Sequence, residues 1–208
     1  EALNQNFNFL KKDLKSKKYK YIFVFDDLEY DKNSLFNSSY FSKWITTSLN
    51  DVEIEYNQNV NYKVDYENKK ILITQIRPNG IILFKNGKLD NWEITFNGLK
   101  KDKVEKTYDK SPMNLTGCIN LYDTDLLNVS FIINNTYCED ALNVIKAKGN
   151  IKKIKIQNSF SDGLDIDFSS LIIDDIEILN AGNDCVDFSF GEYDLKKSNL
   201  ENCGDKGL

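Results

Sequence analysis

The chain has 208 residues, of which 41% are apolar, enough for a sizeable core in one large domain or two small ones. A net charge of −5 argues against nucleic acid or an anionic membrane as partner, and no apolar run approaches the roughly 20 residues that span a bilayer. Histidine is absent, which excludes Ser-His-Asp and Cys-His catalysis and every histidine-containing zinc site. At the start of the chain, Leu3, Phe7, Leu10 and Leu14 are spaced as one helical stripe, with lysines gathered at its C-terminal end. Tyr19 to Phe25 reads as a strand, and a second helix is expected after Asp31-Lys32-Asn33-Ser34, burying Leu35, Phe36, Tyr40, Phe41, Trp44, Ile45 and Leu49. Residues 1–65 are therefore expected to form a helical or α/β cap over the end of the core that follows, as a stack of repeats requires.

From Ile71 onward, short segments of alternating apolar residues replace the helical spacing. Ile71 to Ile76 reads as a strand closed by the Pro78-Asn79-Gly80 turn, and Ile81 to Phe84 as another. Asn86-Gly87 marks a tight turn, after which Trp92, Ile94 and Phe96 point inward. Leu99 to Lys110 is a charged loop that lengthens one coil, and Cys118 to Leu121 with Leu127 to Ile133 makes the next.

Beyond Glu139 the chain repeats. Asp140, Asp162 and Asp184 are 22 residues apart, and Asn158, Asn180 and Asn202 keep the same interval. A fixed period in the low twenties, with two short alternating strands in each period, is the mark of a solenoid. Isoleucine dominates where a leucine-rich horseshoe would need leucine. The expected fold is therefore all-β, a right-handed parallel β-helix over residues 66–208 with about 22 residues per coil.

Stacking converts that period into columns about 4.8 Å apart. Leu142, Leu164 and Val186 form one interior column, and Val144, Ile166 and Phe188 form another. The asparagines are expected to make an amide ladder at a corner. On the second strand Lys153, Asp175 and Lys197 alternate in sign and Lys155 lies beside Glu177, so that face neutralises itself. The first strand instead piles Asp162 under Asp184 and Asp165 under Asp187, with Asp167 along the same face. Two such carboxylates repel by roughly 3 kcal/mol at an effective dielectric near 20, so a cation, a shared proton or a lysine such as Lys206 must offset them.

The cysteines at 118, 138, 185 and 203 lack CxxC spacing and read as small buried apolar residues in the stack rather than as disulfides. Sequons at Asn37, Asn114, Asn128 and Asn134 carry no weight in so asparagine-rich a chain. The chain opens on Glu1 rather than methionine, and Leu208 falls partway through a coil, so it reads as part of a longer protein.

Ser161-Asp162-Gly163, then Gly182-Asn183-Asp184-Cys185, then Cys203-Gly204-Asp205-Lys206-Gly207 resembles, in order and spacing, three motifs of the polygalacturonases. Those enzymes are pectin-degrading glycosidases of the pectin-lyase-like superfamily of right-handed parallel β-helices, and their aspartates hydrolyse the sugar link with inversion. The resemblance implies catalytic positions for Asp162 and Asp184. It also places an amide, Asn183, where the family has a third carboxylate, and Asp205 or Lys206 where the family has histidine.

The acidic strip gives two function classes. In the first, the chain is a hydrolase or lyase of extracellular polysaccharide, with Asp162, Asp165, Asp184 and Asp187 as the catalytic set and Asp167, Asn183, Asp205 and Lys206 on the substrate. Carboxylates one coil apart match the roughly 5 Å of a retaining pair, and Asp165 with Asp167 approaches the longer inverting distance. A lyase would use Ca²⁺ held by aspartates and Lys206 as base. In the second, the chain is a non-catalytic glycan-binding or adhesive module whose acidic ladder binds calcium or faces solvent. Both place it outside the cell or on its surface.

Overall fold

The structure, a computed structural model, describes residues 44–99 and 113–208. Residues 1–43, with the expected first helix, the Tyr19–Phe25 strand and most of the second helix, lie outside the described residues, as does most of the Leu99–Lys110 loop. Among the described residues there is no helix, and the strands wind into a β-solenoid of about 5 turns.

The chain enters through β1 (Trp44–Leu49), β2 (Val52–Asn57), β3 (Val60–Asp65) and β4 (Lys70–Gln75). The C-terminal end of the expected second helix is thus a strand. Its Ile45-Thr46-Thr47 run is β-branched, which disfavours a helix and suits a pleated edge, and it pairs antiparallel with β2 from Trp44↔Asn57 to Leu49↔Val52. The pairs β2–β5 and β3–β4 are also antiparallel, where β5 is Ile82–Lys85. Parallel pairing begins with β4 against β7 (Glu93–Asn97) and β5 against β8 (Gly117–Tyr122).

The coils continue through β6 (Lys88–Asp90), β9 (Asp125–Thr136), β10 (Asp140–Ile145) and β11 (Lys148–Ser159), then β12 (Asp162–Asp167), β13 (Ser170–Ile173) and β14 (Ile176–Ala181). The last is β15 (Val186–Ser189), β16 (Glu192–Leu195) and β17 (Ser198–Cys203). One sheet runs β1-β2-β5-β8-β10-β12-β15 and is called here the first wall. The rest of each coil makes two strand stretches, not one. The long strands β9 and β11 shift register near Gly149 and Ile151, so the first half of β11 pairs with β13 and the second half with β14. The coil accordingly has three walls where alternation alone suggests two.

The core lies between the walls. Leu142, Leu164 and Val186 stack in register, as do Val144, Ile166 and Phe188, and all but Phe188 are buried. Each fully buried aliphatic side chain contributes about 1.5–3 kcal/mol relative to exposure. The corner after the third wall carries the expected amide ladder with one more rung: Asn158 Nδ2 donates to Asn135 Oδ1 (3.1 Å), Asn180 to Asn158 (2.9 Å) and Asn202 to Asn180 (2.9 Å). All four asparagines are left-handed, at φ 57, 60, 62 and 58°, the conformation asparagine tolerates better than other non-glycine residues. Just past the ladder the coils approach closely; a Cβ on Gly182 would stand 1.9 Å from the carbonyl oxygen of Phe160.

The cysteines are not free. Cys118 bonds to Cys138 and Cys185 to Cys203, with sequence separations of 20 and 18 and a Cα–Cα distance of 5.3 Å in each. Nearly one turn of chain returns each sulfur to its partner, which corrects the reading of these residues as unpaired core. Closing a loop of that length stabilises by about 3 kcal/mol in the chain-entropy account.

Candidate acidic site on the first wall

The residues of the acidic strip separate into two groups according to their place on the coil. Asp162 and Asp184 lie at the corner that leads into the first wall, and each carboxylate is tied to the coil above. Asp162 Oδ1 accepts the backbone N–H of Asp184 (3.0 Å) and Nδ2 of Asn183 (2.7 Å). Asp184 Oδ1 accepts the backbone N–H of Lys206 (2.9 Å), while Lys206 Nζ stands 3.6 Å from both Asp184 Oδ2 and Asp205 Oδ2. The corner therefore offsets its own charge through backbone donors and Lys206, the lysine named among the three expected offsets.

Asp165, Asp167 and Asp187 form the second group, on the outer face of β12 and β15. Asp165 pairs in register with Asp187, and Asp167 with Ser189. In the coil below, Asn143 occupies the Asp165 column, is buried, and donates through Nδ2 to Asp165 Oδ2 at 2.8 Å. Burial, reinforced by the charges of Asp167, Asp187 and Asp162, pushes Asp165 up to about 7 against the opposing hydrogen bond from Asn143. Burial and Asp187 also push Asp167 up, opposed by a hydrogen bond with Ser189. At this group burial and mutual repulsion together favour the protonated form of Asp165 and Asp167 beyond that of an ordinary carboxyl.

Asp140 behaves similarly one coil below the Asp162 corner. It is buried, accepts Thr116 Oγ1–H at 2.5 Å, and is pushed up to about 7, mainly by burial.

The neighbouring wall shows the opposite arrangement. Lys153 bridges Asp175 (3.0 Å) and Glu177 (3.2 Å), Lys155 bridges Glu177 (2.6 Å), and Lys197 lies 3.5 Å from Asp175. Hydrogen bonding to Lys153 holds Asp175 below the usual carboxylate range, and Lys155 with Lys153 does the same for Glu177. That wall is self-neutral, as its column pattern indicates.

Asn143 and Asp140 escaped the sequence reading as parts of this site. The period contained the signal for Asn143, because it sits one coil of 22 residues before Asp165. The contribution of Asp140 depends on burial, which no spacing reveals. Among the described residues no group of His, Cys, Asp and Glu is arranged to hold a metal ion. No family model, curated protein or solved structure matches the chain.

Proposed function

We propose that the chain is a carbohydrate-active β-helix of the right-handed, pectin-lyase-like type, which engages extracellular polysaccharide through the first-wall face bearing Asp165, Asp167 and Asp187. The observation that carries this reading is the stack of Asp165 against Asp187, where burial and the neighbouring carboxylates push Asp165 up to about 7. Neighbouring strands stand about 4.8 Å apart, near the roughly 5 Å that separates the acid and nucleophile of retaining glycosidases. Asp165 would donate a proton to the leaving oxygen and Asp187 would face the sugar as the second carboxyl of the pair. Two disulfides favour an oxidising compartment, in keeping with a protein outside the cell or on its surface.

A second reading is favoured by a specific observation. Asp162 and Asp184, the two positions that the polygalacturonase resemblance makes catalytic, each have an oxygen committed to backbone N–H groups. A non-catalytic glycan-binding module would need them for this purpose alone. Incubating the protein with a polysaccharide panel and measuring released reducing ends separates the two. Turnover that falls at least a hundredfold in Asp187→Asn, with binding retained, establishes the enzyme; binding without turnover establishes the module; neither binding nor turnover on any polysaccharide sinks the glycan reading.

A further inference from the structure

We propose that Phe168 and Phe190 form an aromatic platform beside Asp165, Asp167 and Asp187 that receives the uncharged, hydroxyl-bearing rings of a neutral polysaccharide. The inference rests on the glycan reading above and adds the class of glycan.

The corner that leaves the first wall is left-handed in successive coils, at Asn86, Asp123, Lys146, Phe168 and Phe190. Asparagine and aspartate tolerate that region, whereas for a bulky aromatic it is an outlier. The first three positions show that the corner forms without an aromatic side chain. Both phenylalanines are also exposed, 58% for Phe168 and 79% for Phe190, and they stack on each other with centroids 5.3 Å apart and planes 5° apart. Two adjacent coils thus each accept an unfavourable backbone state to present an apolar ring to solvent, and core packing gains little from either. Such a combination of strain and exposure is found where a ligand rewards it.

The neighbouring groups define what that ligand must offer. Phe168 and Phe190 directly follow the strands β12 and β15, and the charged side chains that those two strands carry on the outer face, Asp165, Asp167 and Asp187, are carboxylates, which only accept hydrogen bonds when ionised. Beneath them the buried Asn143 spends its Nδ2 on Asp165 and leaves Oδ1 without a partner, so the inner end of the face is also short of donors. The cation at the same corner, Lys146, donates to Tyr122 Oη at 2.9 Å and sits 5.1 Å over its ring. A sugar ring supplies hydroxyl donors to the carboxylates and a C–H face to the aromatic rings, the mix of apolar surface and few polar contacts usual in ligand sites. A uronate or sulfate ester would instead bring an anion against carboxylates.

The test measures binding of the full chain to uncharged glucan, xylan and mannan, with polygalacturonate and a sulfated galactan as charged probes. It compares the wild type with Phe168→Asn/Phe190→Asn, which removes both rings while keeping a residue that accepts the left-handed corner, as at Asn86. Expected is binding to at least one neutral polysaccharide, weakened about tenfold in the double variant at an unchanged urea midpoint, with no binding of the charged probes. Binding confined to the charged probes overturns the proposal. So does neutral binding indifferent to the double substitution, which leaves the glycan reading standing. A concentration-dependent dimer abolished by the double variant would assign the rings to a second copy and overturn it as well. Absence of binding to every polysaccharide removes the glycan reading itself.

Discussion

Asp162 Oδ1 receives the backbone N–H of Asp184 at 3.0 Å, and one coil on, Asp184 Oδ1 receives that of Lys206 at 2.9 Å. The same side-chain role on successive coils makes these carboxylates corner acceptors whatever else they do. Asp184→Ala should lower stability by about 1 kcal/mol through the lost acceptor, and Asp184→Asn, which keeps an oxygen, by less than half of that. Urea unfolding followed by far-UV circular dichroism measures both. Unmoved midpoints in both variants would show that the corner does not depend on the carboxylate.

The raised carboxyls give a pH dependence of defined sign. Asp140 and Asp165 are each lifted from an ordinary 3.8 to about 7 in the folded chain. Between those values the folded state holds more protons than the unfolded one, so their contribution to stability is greatest in acid and is lost as pH rises from about 4 through 7. Asp165→Asn should therefore flatten the stability profile over that window, and should raise stability at pH 8 relative to wild type. A wild-type minus variant difference that is constant from pH 4 to 8 would mean that Asp165 titrates normally.

How much of this was legible in the sequence depends on whether a feature is carried by a column. Asn158, Asn180 and Asn202 bond to one another only if the same residue returns at the same interval, so the ladder is visible in the letters. The Lys153, Asp175 and Glu177 network is legible for the same reason. The disulfides are not, because partners 20 and 18 residues apart fall short of a full period and share no column. Trp44 to Leu49 became a strand through antiparallel pairing with β2, and its apolar spacing is also compatible with a helix. The three-walled coil follows from bends inside β9 and β11 that carry no proline. In the candidate site, the Asp165–Asp187 stack follows from the period, but the upward push on Asp165 depends on burial, which outweighs the hydrogen bond from Asn143.

The two disulfides predict a specific dependence on redox state. Native protein should show no thiol reactive with Ellman's reagent, and Cys185→Ala/Cys203→Ala should be about 3 kcal/mol less stable than wild type by urea unfolding. Thiols that react in the native state without any denaturant would contradict the pairing.

The amide ladder allows backbone conformation and hydrogen bonding to be separated at one residue. Asn180 is left-handed at φ 62°, donates to Asn158 at 2.9 Å and accepts from Asn202 at 2.9 Å. Asn180→Gly keeps the backbone state without strain but removes both amide bonds, which are exposed and worth about 0.5 kcal/mol each, giving a loss of about 1 kcal/mol. Asn180→Ala removes the same bonds and also forces a Cβ into the left-handed region, which adds a further 1–2 kcal/mol. Alanine should therefore be the more damaging of the two, although helix and strand propensities both rank it above glycine. Equal urea midpoints for the two variants would show that the corner is set by the stacked amides alone, with the left-handed backbone following from them.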